Sequence, residues 1–276
     1  MEPLDDVSLD NVADLRARGA LAPHRLEAYI FVERANTGSV PLLLGVRDGA
    51  HPSGRDQYWS KWPGNPHGNQ SLVHEWVVAR LGQLLDAPVC IPALIDVDPA
   101  VVQGQHANGL PFPSGVYFGS RRQTGVETQE VDHVRDDGNP QRFARLVALW
   151  ELCLGQDAQY LYCHADDDQV WSLDHGMWFN SLEGPWSLDE LTEWKSLRWD
   201  LPPGKTAGIS ESALRDAAAS VESIDESDVA VILSEIPLDW GVRDDELTSL
   251  GRLILARRRV VSRSLLLRAQ SAGMGR

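Results

Sequence analysis

The sequence predicts an α+β protein in two parts, a small β-rich N-terminal lobe followed by a larger helical lobe. Three observations carry this reading. Short runs of branched and aromatic residues fill the first hundred positions, and a Gly- and Pro-rich crossing follows from about Gly104 to Gly119. Beyond it, apolar residues recur at helical spacing. At about 150 residues per domain, 276 residues suffice for two domains or for one domain in two lobes. The division drawn is an N-terminal arm over 1–22, a β-rich lobe over 23–110 and a helical lobe over 111–276.

Each element has its own signal. The first 22 residues are polar and acidic, a short helix or a loose arm. Strands are expected over Leu26–Glu33, Val40–Arg47 and Gln57–Trp62, separated by turn-forming Asn, Gly, Pro and Asp. Leu72, Trp76 and Ala79 place a helix at about Ser71 to Leu85, with Asn69 or Ser71 as N-cap. A strand over Ile91–Val97 is flanked by Pro88 and Pro99. Phe143, Leu146, Val147, Trp150 and Leu154 share one face of a helix over Pro140–Leu154. Two short strands, Tyr160–Cys163 and Val170–Leu173, flank the acidic turn Asp166-Asp167-Asp168. Helices follow over Ser187–Glu193, Glu211–Val221, Asp225–Glu235 and Asp244 to about Arg268.

Composition bounds the function. Hydrophobic residues at 43% and charged residues at 24% exclude wholesale disorder. A net charge of −15 repels phosphates over most of the surface, so neither nucleic acid nor an anionic membrane is expected as a partner. No run approaches the roughly 18 apolar residues of a membrane span, and the acidic N-terminus lacks the apolar stretch of a signal peptide. Three cysteines, Cys90, Cys153 and Cys163, without CxxC spacing, point to a reducing cytoplasm.

Lys61 closes the aromatic strand Tyr58-Trp59-Ser60-Lys61-Trp62, and Glu75 lies early on the next helix. A strand lysine paired with a helix glutamate is how kinase-like sites hold the phosphates of ATP. Taken alone, each is more often a solvated surface charge. Two aspartates follow, 17 residues apart with a hairpin between them: Asp157 after an amphipathic helix, and Asp174 at a strand end before His175-Gly176. One is suited to orient an acceptor hydroxyl and the other to ligate Mg²⁺, although either alone reads as a turn aspartate. Two segments compete to cover phosphates. Gly45 to Gly49 with Gly54 reads mostly as a hairpin, and Ala35 to Ser39 offers backbone N–H groups and hydroxyls, Ser39 among them. His164, beside Cys163, has no further ligands at a recognisable spacing and reads as hairpin surface rather than a metal site. The tryptophans at 171, 178, 186, 194 and 199 read mainly as core, and the six arginines between Arg252 and Arg268 as pairing with the acidic body.

Taken in order, these segments resemble the HipA-like kinase family, a branch of the protein-kinase-like fold. Tyr58 to Asn65, then Gly68-Asn69 and Leu72-Val73-His74-Glu75-Trp76, look like its ATP-lysine strand and Asn-Glu helix, with His74 in the Asn position. Val116 to Ser120 looks like its Phe-Gly-Ser segment, and Leu173-Asp174-His175-Gly176 like its metal-binding Asp-His-Gly. Ile236-Pro237 with Trp240, and the helix reaching Arg257-Arg258-Arg259, look like its closing helices. The resemblance spans about residues 25 to 270. It implies a two-lobed protein-kinase-like fold and a phosphotransferase using ATP and Mg²⁺. Lys61 would hold phosphates with Glu75 positioning it, Asp157 would act on the acceptor hydroxyl, and Asp174 would ligate Mg²⁺ with help from Gln159. It further implies a protein or peptide acceptor and leaves room for a regulatory partner protein. One segment departs from the family: Gly155-Gln156-Asp157-Ala158-Gln159 keeps an Asp but lacks the Arg that usually follows, and Gln159 stands where an Asn is usual. A nucleotide-binding module with little transfer activity is the alternative.

Overall fold

The computed structural model describes residues 7–48, 51–107, 109–128, 133–136, 138–202, 206 and 208–274. In chain order its elements are α1 (Val12–Arg18), β1 (Arg25–Arg34), β2 (Leu42–Asp48), β3 (His51–Lys61), α2 (Gln70–Leu84), β4 (Pro92–Val97), β5 (His106–Ala107), β6 (Leu110–Pro111), β7 (Gly115–Arg121) and β8 (Val126–Thr128). There follow α3 (Asn139–Leu152), β9 (Gln159–Cys163), β10 (Gln169–Leu173), α4 (Leu188–Glu193), α5 (Glu211–Ser223), α6 (Glu226–Ser234) and α7 (Asp244–Met274).

The expected two-lobed protein-kinase-like arrangement is not what forms. The N-terminal strands close into a five-stranded barrel in the order β1-β2-β3-β7-β4. Closure comes from a parallel pairing of Arg25–Glu27 with Leu94–Asp96, which leaves none of the free edges an open lobe sheet would have. Alternation along a strand says which residues face inward but not which edges meet, so this contact is invisible in the pattern. The crossing also contains more structure than its Gly and Pro content suggests. Gly115–Arg121 is a barrel strand, paired on one side with β3 and on the other with β4. Glycine is needed where the sheet curves: a Cβ on Gly119 would lie 2.4 Å from Ile95 Cδ1, and one on Gly45 2.6 Å from Ile30 Cγ2. Beside the barrel lie a three-stranded sheet, β10-β9-β8, and the two-stranded β5–β6.

Period-two alternation splits the apolar residues into two cores. Leu42, Leu44, Val46, Tyr58, Ile95 and Tyr117 fill the barrel. Leu94, Val116 and Phe118 point outward into the larger core, where they meet Leu72, Trp76 and Val77 of α2. Almost every α2 position from Ser71 to Gly82 is buried, as expected of a helix covered on all faces. After the barrel strands the first helix is α3, from Asn139. Asp225 and Ser187 each form a capping box, with Asp228 and Glu190, and Ser210 caps α5 through the Ala213 amide. Asn69 is the N-cap residue of α2, but its side chain accepts from the Gly64 amide instead of from the helix.

The C-terminal helix resolves the arginine-rich stretch. Arg257 is buried rather than surface-facing, and it donates to the carbonyls of Glu151, Leu152, Trp194 and Leu197. Two of these are at the end of α3, where the helix dipole is negative. Burial pulls Arg257 down to about 10, so it is still protonated at neutral pH. This guanidinium fixes the α3 terminus from which the Asp157 segment departs.

Candidate active site

Lys61 is opposite Phe118 across the β3–β7 ladder, so both project from the same side of the sheet. That side faces α2, where Glu75 sits one turn in from the start. Lys61 Nζ donates to Glu75 Oε1 and, at 2.5 Å, to Asp174 Oδ1. Glu75 Oε2 accepts from the backbone N–H of His175 at 3.0 Å, tying α2 to the turn after β10. Gly176 leaves room for this contact. A Cβ there would lie 3.1 Å from Lys61 Nζ and 3.2 Å from Glu75 Oε1.

The charges are interdependent. Lys61 and Glu75 are buried, and Asp174 keeps part of its side chain exposed. Burial works against the Lys61 ammonium, but Glu75 and Asp174 outweigh it and hold the lysine protonated above its ordinary value. Burial lifts the Glu75 carboxyl above the usual range, with Lys61 opposing. At Asp174 the balance is reversed: Lys61 overcomes burial and holds the carboxyl below its usual value. The trio has one carboxylate more than it has cations, and its partly exposed member is Asp174.

Two histidines frame the trio. Burial pushes both His74 and His175 down to about 3, so both are neutral. His74 Nδ1 donates to the Gly176 carbonyl at 2.8 Å, which fixes its tautomer, and its ring packs 4.5 Å from that of Trp186. His175 Nε2 lies 2.9 Å from Ser172 Oγ.

The loops after α3 and β10 hold each other. Phe179 and Asn180 amides donate to the carbonyls of Cys153 and Leu154, and Gln156 bridges to Asn180 and to the Leu182 amide. Leu154, Asp157, Asp174, Phe179 and Asn180 all take positive φ without being glycine. Such strain, of order 1 kcal/mol or more per residue, persists only where surroundings over-determine it, and it concentrates at functional sites.

No protein-family model matches the sequence, and no curated protein does. Among solved structures, the crystal structure of a Helicobacter pylori proinflammatory kinase, CtkA, is similar at a TM-score of 0.47 and 9% identity, covering 90% of this chain and 98% of that one. A likeness at that level carries no argument for this chain.

The residues singled out in the sequence thus fall into three groups. Lys61, Glu75 and Asp174 are in contact. Asp157 and Gln159 pair with each other, Gln159 Nε2 donating to Asp157 Oδ2 at 2.9 Å, and Gln159 is the sheet partner of Leu173, next to Asp174. Ser39 is buried in the β1–β2 connection, outside the trio's hydrogen bonds. Its neighbour Gly38 packs on His67, where a Cβ would lie 2.8 Å from His67 Nε2. The competing glycine segment is the β2–β3 hairpin, with Gly49 outside the described residues.

His67 escaped the sequence reading. It lies in the loop between β3 and α2, shaped by Gly64 and Gly68 at positive φ and by Asn65, whose side chain accepts from the His67 amide. Burial, then the Lys61 charge, lowers its pKa, while Asp174 and Asp157 oppose. All three charges therefore act on one ring. A cavity of about 270 Å³ opens beside it, lined by His67, Ser71, His74, Gly176 and Ser181. The donors available to a metal, the carboxylates of Asp174 and Asp157 and the Gln159 carbonyl, are all oxygen. They fit Mg²⁺, which binds through one or two carboxylates and completes its shell with water and phosphate oxygens.

Proposed function

We propose that this chain is an ATP- and Mg²⁺-dependent phosphotransferase, as the resemblance to HipA-like kinases implies, that moves the γ-phosphate to a hydroxyl, most often Ser or Thr of a protein or peptide. The single observation that carries the reading is the buried Lys61–Glu75–Asp174 contact. The reading rests on this site and not on a kinase fold.

Each residue has a physical task. Glu75 fixes the Lys61 ammonium, which then offers its positive charge to phosphate oxygens. Asp157, exposed at the end of its loop, takes the proton of the acceptor hydroxyl as that oxygen bonds to the γ-phosphorus and the bond from phosphorus to the bridging oxygen of the departing ADP breaks. Asp174 and the Gln159 amide oxygen would hold Mg²⁺, whose contribution when bound is to neutralise charge on the phosphates. Ser39 and its neighbours would cover the phosphates from the β1–β2 connection. In the alternative, a nucleotide-binding module with weak transfer, Asp157 serves structure; the hydrogen bond it accepts from Gln159 favours that second reading.

The test is transfer of label from γ-labelled ATP to the chain itself and to a Ser/Thr peptide library. Labelling that falls about 10²–10⁴-fold in Asp157→Asn supports the reading. Labelling that Asp157→Asn leaves unchanged overturns the role of Asp157, and ATP binding without transfer selects the alternative.

A further inference from the structure

Away from the candidate active site, three side chains converge at the turn between β9 and β10. A ring nitrogen of His133, a ring nitrogen of His164 and a carboxylate oxygen of Asp168 all lie within 4.8 Å of one another. His164 Nδ1 is 2.6 Å from Asp168 Oδ1, and His133 Nδ1 is 3.7 Å from Asp168 Oδ2. We propose that these three residues bind one divalent transition-metal ion of the zinc class, which cross-links the segment ahead of α3 to the β9–β10 turn.

The chemistry selects the ion. Two imidazoles with one carboxylate suit Zn²⁺ and its neighbours, whereas Mg²⁺ and Ca²⁺ prefer all-oxygen shells. Metal–ligand bonds of about 2.0–2.2 Å set tetrahedral ligand atoms about 3.3 Å apart, and the two separations here lie on either side of that value. Coordination would lengthen the first separation by about 0.7 Å and shorten the second by about 0.4 Å. Three protein ligands leave the fourth position to water.

The backbones of two ligands are held in place beforehand. Asn139, fully buried, donates at 2.8 Å to the carbonyl of His133 and at 2.8 Å to the carbonyl of Asp168, and its own oxygen accepts from the Val170 amide at 3.0 Å. The His133 ring packs edge-on to Tyr162, with centroids 5.1 Å apart. A buried amide thus aligns residues 35 positions apart in sequence, as a preformed metal site requires. The same hairpin carries Gln159 and Asp174 at its opposite end, so a bound ion would stiffen the element that supports the candidate active site without belonging to it.

Isothermal titration of the full chain with ZnCl₂, and separately with MgCl₂, tests this. Saturable uptake of one Zn²⁺ per chain at micromolar concentration is expected. His133→Ala and His164→Ala should each weaken it at least tenfold, while His106→Ala and Asp174→Asn leave it unchanged. Saturating Zn²⁺ at a hundredfold excess over the wild-type Kd should raise the melting temperature by about 5 °C in the wild type and in the His106→Ala and Asp174→Asn controls, and by at most about half that in the two histidine variants. Absence of saturable Zn²⁺ uptake, or uptake that both histidine variants retain at full affinity, would overturn the proposal. Should the variants misfold, Co²⁺ loading of the wild type decides. Intense visible bands of a low-coordinate ion support the site, and the faint spectrum of the hydrated ion refutes it.

Discussion

Replacing Lys61 with Met keeps the length of the side chain and removes its charge. Glu75, 2% exposed, then keeps the His175 amide and the neutral His175 ring 3.8 Å away but has no cation beside it, and Asp174 loses the ammonium 2.5 Å away. Deleting one member of a buried ion pair costs about 3–5 kcal/mol, because the remaining charge is left desolvated. Lys61→Met should therefore lower unfolding free energy at pH 7 by about that amount, read from urea denaturation at constant m-value. Glu75→Gln added to it should recover more than half, since no buried charge is then stranded. The deficit should also narrow on acidification. Burial raises the Glu75 carboxyl even against Lys61, and without the lysine it takes a proton that the unfolded chain has shed. A single variant within about 1 kcal/mol of the wild type, or a double variant no better than the single, would refute the reasoning that Lys61 is the counter-ion of a desolvated carboxylate.

Other expectations follow from the same packing. His74 and His175, held near 3 by burial, stay neutral in the fold while the unfolded chain takes up protons below about 6.5. Their contribution is therefore intact above that value and is lost as pH falls toward 3. By linkage, each should cost about 2 kcal/mol between pH 7 and pH 5, and His175→Asn should roughly halve the slope of urea midpoint against pH. Arg257→Met strands four carbonyls and should destabilise by about 3 kcal/mol or more, and Arg257→Lys should rescue little because an ammonium cannot fork between them; denaturation midpoints report both. Gly155→Ala would place a Cβ 2.4 Å from Trp150 Cε3, whose indole donates to the Asp200 carbonyl. It should cost about 1–3 kcal/mol and shift the Trp fluorescence of the folded state, an effect absent if the loop repacks freely.

Much of the secondary structure is legible because it is local. The stripe from Phe143 to Leu154, the caps at Ser187 and Asp225, and the strand around Tyr58 each declare themselves within a few residues. Closure of the barrel is not local: it depends on Arg25–Glu27 meeting Leu94–Asp96, about 70 positions away, and a strand within a Gly- and Pro-rich stretch hides from propensity. The same division holds at the site. Lys61, Glu75 and Asp174 stand out by residue type and order, and the fold joins them. His67 carries no pattern of its own and acquires its neighbours only through the β3–α2 loop. The burial of Arg257 is likewise unreadable among six arginines on one helix, because nothing in the helix marks which one faces the α3 terminus. His133 and His164 are 31 positions apart and meet at Asp168, whose carbonyl Asn139 ties to that of His133.

The most direct test of the central claim is a thermal-melt titration with ATP, with and without Mg²⁺, on the wild type and on Asp174→Asn. A ligand that binds only the folded chain must raise its melting temperature. A Mg²⁺-dependent rise in the wild type that shrinks in Asp174→Asn is the expected result. No shift at millimolar ATP in either protein, or a rise indifferent to Mg²⁺ and to Asp174, would contradict the nucleotide site.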